Sequence, residues 1–275
     1  MSMADPPEAV DGHRIALGVE YIGSQYAGWQ FQRHAISVQQ VLEQALAQVA
    51  AAPIRVHCAG RTDAGVHATG QVVHFETPVK RPQRAWTLGV NANLPDDVAV
   101  CWAQPVDVSF HARFSAVARH YRYLILRRPV RSALWHQCAL WTHRSLSVAP
   151  MREAAATLVG RHDFTSFRAL ACQAKSPVRT LHYLTLVERG ALLELSVGAD
   201  GFLHHMVRNL VGVLLAIGRG ERPVGWAAEL LALRDRARGG VTAPAHGLYL
   251  TGVDYPDRFG LPAATDHLTA TASSL

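Results

Sequence analysis

Lysine is nearly missing from this 275-residue chain. All of its 27 basic residues except Lys80 and Lys175 are arginine. Cysteine is scarce, and Cys58, Cys101, Cys138 and Cys172 are scattered with no CxxC pair. That excludes a zinc ribbon or a dithiol redox motif and leaves reduced thiols as the expected state. The 15 histidines form no HExxH and no Cys/His ligand set, so no metal centre is expected. Neither a Walker A segment nor a glycine-rich dinucleotide fingerprint is present. No apolar run is long enough to span a bilayer. The first residues lack the basic and apolar regions of a secretion signal, so the expected location is cytoplasmic.

What is present fits a folded chain: 49% hydrophobic and 17% charged residues. The formal net charge of +6 favours a polyanionic partner. Arginine suits bidentate contacts to phosphate and stacking on bases. A general arginine-rich composition accounts for the same bias equally well.

The patterning alternates between strand and helix. Residues 1–12 read as a flexible leader and 257–275 as a flexible tail. Residues 13–20 read as a strand. Ser37 is a helix cap, with Gln40 at the third helical position and an apolar stripe of Val38, Val41, Leu42, Ala45, Leu46 and Val49 before Pro53. Ile54, Val56 and Cys58 alternate with Arg55 and His57, and Val73 and Phe75 with Val72 and His74, as strands do. Residues 82–90 read as helical, and 98–103 as strand. A junction follows at Phe110-His111-Ala112-Arg113-Phe114-Ser115. Beyond it, a strand at 120–126 puts Tyr121, Tyr123 and Ile125 on one face. A helix is expected over 150–159, a hairpin over 181–197, helices over 203–217 and 223–233, and a closing strand over 248–253. The class is α+β.

Chemistry concentrates between two of these strands, in Gly60-Arg61-Thr62-Asp63-Ala64-Gly65-Val66-His67-Ala68. A carboxylate on a glycine-bracketed loop is either a turn residue bonding its own backbone or a presented reactive group. Arg208 begins an otherwise apolar helix, where an arginine needs an anionic or hydrogen-bonding partner. That partner is either a structural carboxylate or Asp63. Tyr121 is either a packed ring or a stacking surface for a base.

The chain resembles the bacterial tRNA pseudouridine synthase I family. The likeness runs in order over residues 13–256. It includes Gly28-Trp29-Gln30, Ser37-Val38-Gln39, the 60–68 loop, Gly70-Gln71-Val72-Val73-His74-Phe75 and the 110–115 junction. It continues through His162-Asp163-Phe164-Thr165-Ser166-Phe167, Phe202-Leu203-His204-His205-Met206-Val207-Arg208-Asn209 and Ala243-Pro244-Ala245-His246-Gly247-Leu248-Tyr249-Leu250. Ile22 and Ser37 depart from the family's usual Asp and Thr.

The resemblance implies an isomerase that converts uridine to pseudouridine at positions 38, 39 and 40 of tRNA, in the anticodon arm, without a cofactor. It implies Asp63 as nucleophile, Arg208 as its partner, Tyr121 as the contact to the target base, and Leu248 as a pocket residue. Arg61 is the local candidate for RNA contact. The implied architecture is a homodimer whose subunits hold two similar α+β halves, 13–110 and 111–256. These surround a continuous antiparallel sheet with the active site in the cleft between them.

A non-catalytic RNA-binding protein explains the charge and aromatics but gives Asp63 and Arg208 no joint role. A glycosidase-like hydrolase would need a second acid flanking the bond.

Overall fold

The computed structural model describes residues 13–262. The expected leader at 1–12 and most of the expected tail lie outside them. Residues 257–262, which composition alone places with the tail, are folded. Phe259 is buried, and Gln104 Nε2 donates to the Gly260 carbonyl at 3.0 Å. An aromatic ring that can be covered holds this stretch down.

The first half of the chain forms β1 (His13–Tyr21), α1 (Val38–Ala50), β2 (His57–Cys58), β3 (His67–Thr77) and β4 (Val98–Val106). Ser37 caps α1 as expected, its hydroxyl accepting from Gln40 N at 3.3 Å. The helix stops at Ala50 because Ala51 turns left-handed, before Pro53 is reached. Its buried Val38, Leu42, Ala45 and Leu46 lie on the anticipated stripe. Burial of each large apolar side chain contributes about 1.5–3 kcal/mol, which offsets the helix's modest intrinsic stability. The strand expected from Ile54 shortens to β2, although Ile54 and Val56 are buried and Arg55 and His57 exposed.

The second half forms β5 (Ala118–Arg127), β6 (Leu140–Thr142), α2 (Val148–Ala156), β7 (Gly160–Asp163), β8 (Val178–Arg189), β9 (Leu192–Ala199), α3 (Met206–Gly218), α4 (Trp226–Leu233) and β10 (Leu248–Asp254).

These strands make one ten-stranded sheet in the order β4-β1-β3-β10-β5-β9-β8-β7, with β2 on β3 and β6 on β5. It is mostly antiparallel. Two seams, β5 with β6 and β10 with β3, are parallel within what is otherwise the expected continuous antiparallel sheet. The β3–β10 seam joins strands from opposite ends of the chain, with Tyr249 opposite His67 and Leu250 opposite Ala68. Parallel pairing requires a long connection, and residues 78–247, from the end of the first half through most of the second, supply it. Close by, a Cβ on Gly70 would sit 2.3 Å from the Thr251 carbonyl oxygen. Only glycine lets the two backbones approach this closely.

The helices α1, α2, α3 and α4 each contribute buried residues to one main core on a single face of the sheet. That core runs across both halves, from Leu17 and Val73 to Tyr123 and Leu214. On the other face, Val72 and Ala16 pack with Phe110, Ala112 and Phe259. β3 is therefore covered on both sides near its centre. Tyr121, Tyr123 and Ile125 join the main core, and Leu124 and Leu126 a small cluster behind them, as alternation predicted. Among the described residues no helix is long and apolar enough to cross a membrane.

Candidate active site

The loop between β2 and β3 is pinned almost residue by residue. Ala59 N donates to the Val72 carbonyl at 2.8 Å, and Gln71 Nε2 to the Gly60 carbonyl at 2.7 Å. Thr62 Oγ1 is hydrogen-bonded to the Tyr21 hydroxyl at 2.8 Å, and Trp29 N donates to the Thr62 carbonyl. Gly28, at φ 92°, brings the preceding loop against this backbone, where a Cβ would lie 2.7 Å from the Thr62 oxygen. Gly23 N donates to His67 Nδ1 at 3.0 Å, while His67 Nε2 reaches the His246 carbonyl at 3.1 Å. His67 thus ties the loop to the other half as a neutral ring, its pKa lowered chiefly by burial.

The Asp63 carboxylate is not used in this local bonding. Its contacts come from the second half of the chain. Arg208 Nη1 lies 3.0 Å from Oδ2, and Arg208 Nε donates to the Ala243 carbonyl at 2.8 Å. His205 Nε2 is 3.3 Å from Oδ2 and His204 Nε2 is 3.4 Å from Oδ1. The turn-aspartate reading therefore fails, and Asp63 is the anion that Arg208 requires. Arg61, two residues away, does not pair with it. Arg61 is exposed and makes no hydrogen bond or ion pair with the described residues.

The two histidines were missed as Asp63 partners, because adjacent residues diverge on a helix. They are not on the helix. His205 has φ 61°, a left-handed conformation, and α3 starts only at Met206. This bend shortens the expected 203–217 helix and turns both rings toward Asp63, their centroids 4.0 Å apart. Left-handed backbone costs a non-glycine residue about 1–2 kcal/mol, and such strain clusters at functional sites. The signal available in the sequence was the His-His pair directly before the helix carrying Arg208. Burial lowers the His205 pKa, more than the Asp63 charge raises it.

Tyr121 faces the same space from β5. It is 9% exposed, packs edge-on against Phe202 at 5.0 Å, and its hydroxyl lies near the Gly60 backbone. Burial first, and then the Asp63 charge, push its phenol pKa up, so the hydroxyl stays protonated. Leu248, at the start of β10, is 5% exposed and lines the floor. Ile22, the departure from the family's usual Asp, is an exposed side chain whose amide donates to the Asp97 carbonyl.

These side chains border an open cleft of about 1520 Å³ lined by both halves. Arg55, Arg61, Arg113, Arg119, Arg179 and Arg208 line it, against the carboxylates Asp63 and Asp200. Such a surface attracts a phosphate backbone. Asp63, His204 and His205 place ligand atoms within 4.8 Å of one another, close enough to hold a cation. Arg208 already brings a positive charge to the same carboxylate.

A family model described as tRNA pseudouridine synthase matches residues 18–115 and 154–256. The chain belongs to the tRNA pseudouridine synthase family. It is 57% identical over 263 residues to tRNA pseudouridine synthase A of Pseudomonas aeruginosa, covering 94% of this chain and 92% of that protein. The protein of the same name from Nitrosococcus oceani is 57% identical over 256 residues, covering 93% of this chain and 99% of that one. The Enterobacter protein is 54% identical over 250 residues, covering 91% and 93%. A crystal structure of a Cbf5-Nop10-Gar1 complex aligns at a TM-score of 0.34 and 12% identity over 86% of this chain and 57% of that one, too distant to bear on fold or site.

As a pseudouridine synthase the chain is an isomerase. Arg61 and Asp63 fall in the first matched segment, and His204, His205, Arg208 and Leu248 in the second. Tyr121 lies between the two.

Proposed function

We propose that the protein isomerises uridine to pseudouridine at positions 38, 39 and 40 of the tRNA anticodon stem-loop. Asp63 is the nucleophile, no cofactor takes part, and the working form is a cytoplasmic homodimer. The halves 13–110 and 111–256 form the two walls of the site. The observation that carries the reading is the Asp63–Arg208 pair, which joins those walls inside a cleft lined with arginine.

The chemistry breaks the N1–C1′ bond of the target uridine and forms a C5–C1′ bond. The C5 proton leaves and N1 gains one, so the net change is an isomerisation. The base must first leave its stack, at a cost of a few kcal/mol. Arginines along the cleft hold phosphates and set the register of the arm. Attack at C1′, addition at C6 and abstraction of a ribose proton would all employ the same carboxylate. Arg208 and His205 both lie on Oδ2. Oδ1, which faces the more exposed His204, is the oxygen better placed to react. Splitting the exchange into two steps lowers each barrier. Tyr121, a protonated phenol beside Asp63, stacks on or hydrogen-bonds the target base, and Leu248 packs below it.

The test is Asp63→Asn. The variant is expected to bind an unmodified tRNA transcript like the wild type and to form no pseudouridine, read by carbodiimide-blocked primer extension. Normal turnover by Asp63→Asn would sink the assignment of the nucleophile. Blocks elsewhere than 38–40 would relocate the target.

A further inference from the structure

The turn at 110–115 holds an aromatic ring in solvent on the rim of the cleft. Phe114 is 75% exposed, though Phe110 and Ala112 in the same turn are fully buried. Local bonding prevents the ring from folding inward. His111 Nδ1 accepts from the backbone amides of Arg113 and Phe114, at 3.1 and 3.3 Å. His111 N donates to Ser115 Oγ at 3.0 Å, and Ser115 N returns a bond to the His111 carbonyl.

The exposed ring is not alone. The His111 ring sits 4.4 Å from Phe114, centroid to centroid, and His57 continues the strip 5.5 Å beyond His111. The Arg113 guanidinium lies 5.5 Å from the Phe114 ring centre. Burial, and then the neighbouring His57, lower the His111 pKa, which keeps that ring neutral beside the guanidinium. All four side chains line the cleft that contains Asp63.

Arg119 fixes this strip relative to the reactive loop. Its Nη2 donates to the Arg113 carbonyl at 2.6 Å and to the Ala59 carbonyl at 3.1 Å. Its Nη1 reaches the Asp200 carbonyl, just after β9, at 3.2 Å. One guanidinium therefore joins the platform turn, the start of the Asp63 loop and the end of β9.

We infer that Phe114, backed by His111, is a stacking platform for an unpaired RNA base next to the target uridine, with Arg113 on the adjoining phosphate. The inference rests on the RNA-isomerase reading. Single-stranded RNA is gripped by this combination: a flat ring for the base face and a cation for the backbone. A target drawn from its stack leaves its neighbour with an uncovered face, and Phe114 supplies the replacement.

The experiment measures binding of an unmodified tRNA transcript over a range of salt, in the Asp63→Asn background so that no turnover intervenes. Adding Phe114→Ala is expected to weaken binding by roughly tenfold at every salt concentration, with the salt slope unchanged. Phe114→Trp is expected to keep the affinity, and Phe114→Leu to lose as much as Phe114→Ala. Arg113→Ala should instead reduce the salt slope by about one. An unchanged affinity for Phe114→Ala overturns the platform, and so does full affinity for Phe114→Leu. A loss of self-association, read by light scattering, with RNA affinity intact would reassign the ring to a contact between copies. Pseudouridine formation by the wild type on the same transcript is scored separately. If the wild type forms none, the functional reading fails and the platform with it. If it forms pseudouridine while Phe114→Ala binds normally, only the platform fails.

Discussion

Arg208 holds Asp63 with one nitrogen and the Ala243 carbonyl with another: Nη1 to Oδ2 at 3.0 Å, Nε to oxygen at 2.8 Å. The second bond stops the guanidinium from rotating, so the carboxylate is aimed as well as neutralised. A lysine can replace the charge but not the fork. Arg208→Lys is therefore expected to lower single-turnover pseudouridine formation by about 100-fold, the usual scale for a small misplacement of a reacting group. Binding of tRNA should change little. A rate within threefold of wild type would show that charge alone suffices.

His205 offers a contrast between ring and backbone. If its ring helps hold Oδ2, both His205→Gly and His205→Ala should slow the reaction about tenfold, equivalent to roughly 1.4 kcal/mol. Their stabilities should diverge. Glycine suits the φ of 61° and alanine does not, so His205→Gly should melt higher. A fast His205→Gly enzyme would reduce the residue's role to the bend.

Fold stability should decline in acid because of His74. This buried ring accepts from Ala112 N at Nδ1, and burial, then His111 and His57, lower its pKa to about 3. The fold therefore favours the neutral ring. That preference is fully present above the unfolded value of about 6.5 and is lost as pH falls from there toward 3. Each pH unit between the folded and unfolded values is equivalent to about 1.4 kcal/mol, so the loss is on the order of several kcal/mol. Thermal melts at pH 7 and pH 4 should show the drop. In His74→Asn, whose side-chain oxygen still accepts from Ala112 N, the pH dependence should flatten. An equally steep profile would place the acid sensitivity elsewhere.

Arg61 is exposed on the cleft wall with no ion pair among the described residues. Arg61→Ala should raise the KM for tRNA severalfold and reduce the salt dependence of binding by about one counterion, with the melting temperature unchanged. Unchanged kinetics would reject an RNA contact.

The local devices were readable in the residues: the Ser37 cap, the α1 stripe, the alternation of Tyr121, Tyr123 and Ile125, and the demand of Arg208 for an anion. Each depends on neighbours within a few positions or on the cost of burying one charge. The bend at His205 was not readable, because a helical pattern gives no hint of a positive φ at the residue just before the helix. The parallel β3–β10 seam was also hidden. It is set by backbone approach at Gly70 and by a crossover that no local period records. The 257–262 segment looked frayed by composition, yet one aromatic, Phe259, was enough to hold it.

β10 follows the other nine strands in chain order but lies near the middle of the sheet, between β3 and β5. On the ribosome its two neighbours are made first and wait with open edges facing one another. The gap between β3 and β5, and the part of the cleft lined by Leu248, thus close only after residue 254 has emerged, and those edges make the late intermediate the state most exposed to mispairing.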